Sequence, residues 1–204
     1  MNKKEVKLIW SDVNLLSDVY NNFDYNGLYL HLYCLNGFNR IIYVGEGNIS
    51  NRQRLYQNQF NRPDFNKFSC IDLNRINNDP YEIYTCHYDP TNNINRLNEL
   101  GILFGHNDII PNEIDILSIR RNYFNNLYIS VVEYEDETER KQIERNLQKY
   151  FIDKWKILNY GTGNLIGLPN NLRNNIDYDL IINNYYDDIK LSDLPNIIEL
   201  SYNS

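Results

Sequence analysis

GLYLHLYCLNGFNRIIYVGEGNISNRQRLY, residues 27–56, is the stretch that decides the fold. Residues 28–35 and 40–44 are rich in aromatic, aliphatic and β-branched side chains, which favour strands. Asn36-Gly37 lies between them and is a strong signal for a tight hairpin turn, because both residues tolerate positive φ. Glycines then interrupt the second run, and Asn48 or Ser50 can cap a helix over about 49–58. The stretch predicts strand, turn, strand and helix in direct succession.

Further along the chain, residues 127–134 form the clearest remaining strand pattern. We expect this strand to complete a three-stranded antiparallel sheet with the hairpin. Residues 139–156 follow with apolar side chains at helical spacing, including Ile143 and Leu147, which would face the sheet. The predicted fold class is therefore α+β, a three-stranded antiparallel sheet flanked by helices.

The chain around these elements divides into regions of different character. Residues 27–168 read as the main domain, and residues 57–126 read as a large insertion within it. Residues 1–26 read as an N-terminal extension and residues 169–204 as a C-terminal extension. In the insertion we expect a strand near 81–86, with helices near 92–104 and 112–122.

The two extensions carry weaker patterns. Residues 11–20 have helical spacing with Ser11 as a plausible cap, and Trp10 is expected to pack in the core. The C-terminal extension is expected to form one or two short helices.

Composition restricts the class of protein. The chain has 204 residues, of which 42% are hydrophobic and 14% aromatic, so a folded core is expected. Without a long apolar run or a signal-like N-terminus, the sequence predicts a soluble, cytoplasmic protein with no membrane partner. Cys34, Cys70 and Cys86 lack metal-site spacing, and His87 and His106 are expected to be surface or packing residues.

The net charge of −7 is unusual for a protein that binds nucleic acid. Basic residues nevertheless concentrate between Arg40 and Lys67, while the acidic excess lies mainly in 133–139 and 177–193. We interpret this as a basic face on an acidic protein, which is compatible with phosphate binding.

Two tripeptides in the opening stretch resemble the signatures of a known nuclease family. Gly27-Leu28-Tyr29 and Tyr43-Val44-Gly45 are similar to the signature tripeptides of the GIY-YIG nuclease superfamily. Residues 49–56 resemble the family's first helix, where an arginine (Arg52) is followed four residues later by Tyr or His (Tyr56). This version is particularly similar to that of the bacterial excision-repair nuclease subunit. Glu46 departs from the pattern, because many members carry lysine there.

The second half of the resemblance lies downstream. Ile143-Glu144, with Leu147 after it, resembles the family's metal-binding helix, and Asn159 resembles its closing asparagine. Glu139 is a competing candidate, but its place at the helix start fits an N-terminal charge better. The resemblance covers residues 27–56 and 127–160.

The resemblance implies a metal-dependent DNA endonuclease that hydrolyses phosphodiester bonds. Glu144 would hold one Mg²⁺ or Mn²⁺, and Arg52 would contact a non-bridging phosphate oxygen. Tyr29 is the first choice for the residue that activates water. The other implied roles are orientation of water or phosphate by Tyr43 and Tyr56, support of the glutamate by Asn159, and substrate contacts from Arg40, Gly45 and Arg54.

The biological setting stays open. The partner would be DNA, and a homodimer is an open alternative to a monomer. A sequence-specific restriction-type enzyme fits a compact core with added recognition segments. A mobile-element (homing) or repair-type nuclease, or a catalytically silent binding or structural protein that retains the fold, fits the same anatomy.

Overall fold

The structure of the chain is a computed structural model, and it has the mixed helix and strand content of an α+β protein. It describes residues 2–35, 38–61, 67–70, 84–87, 125–155 and 178–200. The described elements, in chain order, are β1 (Asn2–Ile9), β2 (Asn14–Leu15), α1 (Leu16–Val19), β3 (Asn26–Leu35), β4 (Phe38–Asn48), α2 (Ile49–Asn61), β5 (Lys67–Cys70), β6 (Tyr84–His87), β7 (Leu127–Glu133), α3 (Glu137–Trp155), β8 (Tyr178–Tyr185) and β9 (Ile197–Leu200), with a single 3-10 turn at Ile189–Leu191.

The main sheet has the order β2-β7-β3-β4, and each neighbouring pair is antiparallel. The strands predicted at 28–35, 40–44 and 127–134 are therefore adjacent in it. The prediction of three strands is wrong, because Asn14 and Leu15 pair with β7 and add a fourth. Because Asn14 and Leu15 form a strand, the helix predicted over 11–20 is reduced to α1. This helix has no side-chain cap, so the predicted cap at Ser11 is wrong.

A β-bulge in β4 decides which side chains share a face. His31 pairs with Tyr43 and Leu32 pairs with Ile41, so Ile42 is the extra residue. Without the bulge, Ile41 and Tyr43 would point to the same side of the sheet. With it, Ile41 lies on the side of Leu32, while Tyr43 lies on the side of Tyr29 and His31.

A second sheet joins the two ends of the chain. Its order is β1-β8-β9, with β1 parallel to β8 and β9 antiparallel to β8. In its described part, residues 178–200, the C-terminal extension forms β8, β9 and a 3-10 turn, so the short helices predicted there are wrong except for that turn. Inward-facing Leu180 and Ile182 alternate with more exposed residues, as expected for a strand that is covered on one face.

The hydrophobic core lies between this second sheet, helix α3 and one face of the main sheet. Trp10 is buried in it, as predicted, and its indole Nε1 donates to Asn184 Oδ1 at 2.9 Å. The members of the core come from all three layers and from the segments that connect them: Val6, Leu8, Trp10, Val13, Leu28, Leu30, Leu32, Ile41, Val44, Val132, Ile143, Leu147, Phe151, Leu180, Ile182, Leu191, Leu194 and Ile198.

The opposite face of the main sheet supports α2. Tyr29 and His31 alternate along β3 with the core leucines, so they point to this other side, where Gln53 of α2 contacts His31. The two helices that carry the predicted site residues therefore lie on opposite faces of the same sheet.

Some predictions fall on residues that the structure does not describe. They are the turn at Asn36-Gly37, most of the insertion, His106 and Asn159. Among the described residues, no helix is long and apolar enough to cross a membrane.

Candidate active site

An aromatic cluster lies on the α2 side of the sheet. The Tyr29 ring centroid is 5.2 Å from that of His31 and 6.1 Å from that of Tyr43, and His31 and Tyr43 are 5.5 Å apart. Tyr29 has only 1% of its surface exposed, whereas Tyr43 is half-buried. Of the two tyrosines in the signature tripeptides, Tyr43 therefore has the better access to solvent.

Gly45 makes room for the buried tyrosine. Tyr29 and Gly45 are direct partners in the β3–β4 ladder. A Cβ atom at position 45 would lie 2.2 Å from Tyr29 Cζ and 2.3 Å from its hydroxyl oxygen, so the tyrosine ring occupies the place of the missing side chain. The ring of Tyr29 can therefore pack in this place because residue 45 is glycine.

Helix α2 begins beside the end of β4 and carries both predicted arginines. Asn48 is its N-cap, because its Oδ1 accepts from the backbone N–H of Asn51 at 3.0 Å. Arg52 lies over Gly47, which has a φ of +125°, and a Cβ at position 47 would be 3.0 Å from Arg52 Nε. Arg52 and Arg54 are both exposed, and two residues of helix turn them about 200° apart.

Helix α3 lays three polar side chains along the edge strand β4, on the other face of the sheet. Arg140, Glu144 and Gln148 are spaced four residues apart, so they form one row. At one end of the row, Arg140 Nε donates to Glu46 at 2.8 Å. At the other end, the Gln148 side-chain amide donates to the Val44 carbonyl at 3.2 Å. Since both neighbours are anchored to β4, Glu144 lies beside the strand between these two contacts.

The environment of Glu144 disfavours its charged form. Burial, and then the nearby negative charge of Glu46, raise the pKa of Glu144 from 4.5 to about 7. The positive charges of Arg145, Arg52 and Lys141 act in the opposite direction. Arg52 on α2 is thus within electrostatic reach of Glu144 on α3, across β4, the last strand of the described sheet.

The competing glutamate is already paired. Glu139 accepts a hydrogen bond from the Tyr134 hydroxyl and forms an ion pair with Lys4 of β1. The cap of α3 is Asp136, whose Oδ1 accepts from the Glu139 backbone N–H at 2.8 Å. These contacts give Glu139 a role in joining β1 to α3.

A metal would find one principal ligand here. In the part of the chain that the structure describes, no three His, Cys, Asp or Glu side chains converge as a metal site. Mg²⁺ is commonly held by one or two carboxylates while it keeps several waters, so a single glutamate fits it. A carboxylate buried beside a second carboxylate also gains from a cation, because the cation compensates both charges.

The structure brings together some predicted site residues but not others. Tyr29, Tyr43, Gly45, Arg52 and Glu144 all lie around the end of β4. Arg40 lies at the other end of that strand and forms an ion pair with Asp193 at 3.5 Å. Arg54 is on the outer side of α2, the backbone of Tyr56 is in α2, and Asn159 lies outside the described residues.

Four residues of this site were not predicted from the sequence. Two of them, Arg140 and Gln148, were detectable as the positions four residues before and after Glu144. His31 was detectable from the period of two along β3, which places it beside Tyr29. Gln53 gives no such signal, because its burial depends on contact with His31.

Comparison of the sequence with protein-family models gave no match, and no curated protein or solved structure matches it. The similarity to the GIY-YIG superfamily therefore rests on the quoted tripeptides and helices alone.

Proposed function

We propose that the protein is a metal-dependent DNA endonuclease of the GIY-YIG type, with its active site at the end of β4. The observation that carries the proposal is the half-buried Glu144 within electrostatic reach of Arg52. Each residue comes from a different helix on a different face of the sheet, and the two signature tripeptides lie between them. A cation-binding carboxylate and a phosphate-binding guanidinium can together stabilise the charge that develops during phosphodiester hydrolysis.

Glu144 is the residue that would hold Mg²⁺ or Mn²⁺, and the bound metal would polarise the scissile phosphate and stabilise the leaving oxygen. Arg52 contacts a non-bridging oxygen and offsets the charge that develops there. Tyr43 has the better access to solvent, so it is the tyrosine that contacts the attacking water. Tyr29, which packs against Gly45, orients the ring of Tyr43.

The exposed charges around the site suit DNA better than a small phosphate ester. Arg52 and Arg54 are both exposed on α2, on different sides of the helix, so they can contact different phosphates of one strand. A restriction-type role is the form of this proposal that we favour, since base recognition needs segments outside the small core. A mobile-element or repair role would use the same chemistry.

Plasmid cleavage tests the proposal directly. The purified chain is incubated with several plasmids, with Mg²⁺ and with EDTA, beside the Glu144→Gln variant. Discrete fragments that require Mg²⁺ and Glu144 support a restriction-type enzyme, and a smear supports a nuclease without sequence preference. No cleavage by the wild type rejects the proposal and favours a binding protein that retains the fold.

Glu139→Gln is the matched control on the same helix. It removes one carboxylate of similar burial, but one that is paired with Lys4 and Tyr134. Cleavage should persist in this variant. If Glu139→Gln loses activity and Glu144→Gln retains it, the site has been assigned to the wrong glutamate.

A further inference from the structure

His31 and Gln53 form a buried polar contact that the proposed chemistry does not use. His31 is 5% exposed and Gln53 is fully buried. The distance from His31 Nε2 to Gln53 Oε1 is 2.7 Å. Because a carbonyl oxygen can only accept, the imidazole carries its proton on Nε2 and donates it.

The contact connects the two parts of the site that lie on this face. His31 is two residues after Tyr29 on β3, and its ring packs against both Tyr29 and Tyr43. Gln53 directly follows Arg52 on α2. This hydrogen bond therefore joins the strands that carry the two tyrosines to the helix that carries Arg52.

The geometry of the bond makes it directional. In the described part of the chain, Gln53 Nε2 has no hydrogen-bond partner, so the bond to His31 is what orients this amide. The backbone N–H groups of Ile49 and Ser50 donate to the Tyr25 and Phe23 carbonyls and fix the start of α2. The buried hydrogen bond acts about one turn further along the helix, where apolar contacts alone would allow small rotations or shifts on the sheet.

We infer that His31 and Gln53 are a positioning pair, which fixes α2 on the sheet so that Arg52 lies correctly against Tyr29 and Tyr43. The inference rests on the proposed function for its effect on rate. Burial lowers the pKa of His31 to about 4, against a smaller raising effect of the Gln53 hydrogen bond. The imidazole therefore stays neutral at neutral pH, as a fixed donor requires.

The test separates position from stability. His31→Phe and Gln53→Leu each break this buried hydrogen bond from one side, and both variants should lose stability and cleavage rate. The double variant removes both polar groups and should regain stability, because replacing both partners with apolar groups is close to neutral. Its single-turnover rate should stay roughly tenfold to a hundredfold below the wild type, as expected for a small misplacement of reacting groups.

Two further variants control the comparison. Ile129→Val is a truncation at a fully buried position opposite His31 in the sheet, and it should lower stability without a matching loss of rate. Gln53→Glu keeps an acceptor oxygen for Nε2 at nearly constant volume and should retain most of the rate. The inference is overturned if rate returns with stability in the double variant, or if Gln53→Glu loses as much rate as Gln53→Leu.

A readout without catalysis keeps this inference distinct from the proposed function. The ¹H–¹⁵N signals of the Gly47 amide and of Arg52 Nε report the position of α2, because Arg52 Nε lies 3.0 Å from the place that a Cβ atom would take at Gly47. They should shift in the double variant and not in Ile129→Val. If the wild type does not cleave DNA, the proposed function fails, and unmoved signals would then also reject the positioning role.

Discussion

The two faces of the main sheet present opposite chemistries at the same strand, β4. The face toward α2 is neutral and aromatic, with Tyr29, His31 and Tyr43 packed around Gly45. The face toward α3 is charged, with the row that contains Arg140 and Glu144. The bulge at Ile42 makes this division possible, because it turns Tyr43 away from the core.

In the proposed nuclease, this difference would separate two requirements of phosphodiester hydrolysis. Charged groups that bind a cation need some contact with water, and the α3 row lies along β4, the last strand of the described sheet. Groups that only fix geometry can be fully buried and neutral, as His31 and Gln53 are. We therefore expect the α3 face to respond to charge, pH and metal, and the α2 face to respond to shape.

The largest loss of stability is expected from breaking the Arg140–Glu46 pair. Glu46→Leu leaves Arg140, whose side chain is 5% exposed, without its counterion. The free energy of unfolding should fall by about 3 kcal/mol, the lower end of the range for a broken buried pair. Glu46 keeps 10% of its side-chain surface in water, which is why the lower end applies. Urea unfolding measures the change.

A second variant distinguishes an unpaired charge from lost packing. In Glu46→Leu/Arg140→Met both charges are gone, and stability should return close to that of the wild type. Glu137→Gln, which breaks the exposed pair with Lys141 on the same helix, should have no measurable effect. If the double variant is as unstable as the single one, the α3 face is held by packing and the contrast between the faces is wrong.

The next effect concerns the edge where the faces meet. Arg52→Ala should reduce the single-turnover cleavage rate by an amount equal to roughly 2–4 kcal/mol, as for loss of an electrostatic donor at a reacting centre. Arg54→Ala is the matched control, because it removes the same charge from another side of α2. It should mainly weaken binding and lower the salt dependence by about one phosphate contact. Equal loss of rate in both variants would overturn the assignment of Arg52.

The local parts of this arrangement were predictable from sequence. Alternating strand patterns around residues 28–35 and 40–44, and the apolar spacing of Ile143 and Leu147, placed the strands and the helix correctly. These signals depend only on residues that are close in the chain. They were therefore enough to predict the strands beside the site and the position of Glu144 on its helix.

The parts that depend on distant pairing were not predictable. β8 contains Asn183-Asn184, which lowers its strand propensity, but β1 pairs with it from the other end of the chain. Asn184 is buried because it accepts from Trp10 Nε1 and donates to the Pro195 carbonyl at 2.8 Å. Neither partner can be identified from a local pattern. The burial of Gln53 against His31 was missed for the same reason.

The pH dependence of stability tests whether Glu144 belongs to the charged face. The folded-state pKa of about 7 lies above the ordinary value of 4.5, so the folded state favours the protonated carboxyl. Its contribution to stability is full below about pH 4.5 and is lost as pH rises through 7. At pH 8 without metal, Glu144→Gln should therefore be more stable than the wild type, by up to about 3 kcal/mol.

The same pair of proteins shows the effect of metal. Near pH 4 the difference in stability should vanish, because the carboxyl is then neutral in both states. Adding Mg²⁺ at pH 8 should stabilise the wild type and not Glu144→Gln, and EDTA should reverse the gain. A difference that is constant with pH, or an equal response of both proteins to Mg²⁺, would show that Glu144 is an ordinary exposed carboxylate.

The smallest effect is expected on the neutral face, at Gly45. In Gly45→Ala the new methyl group meets the ring of Tyr29, which is buried and cannot swing into solvent. The cost should be about 1–3 kcal/mol, as for an overpacked core. In a Tyr29→Leu background the ring is absent, so the same substitution should cost much less.

Gly47→Ala is the control for this comparison. Its added methyl group meets the flexible side chain of Arg52, and its cost comes from the positive φ, so the cost should be the same in both backgrounds. Since His31, the titratable imidazole on this face, is neutral above about pH 5, neither cost should vary with pH or Mg²⁺ in that range. A cost of Gly45→Ala that survives removal of the ring, or that changes with Mg²⁺, would mean that shape is not what governs this face.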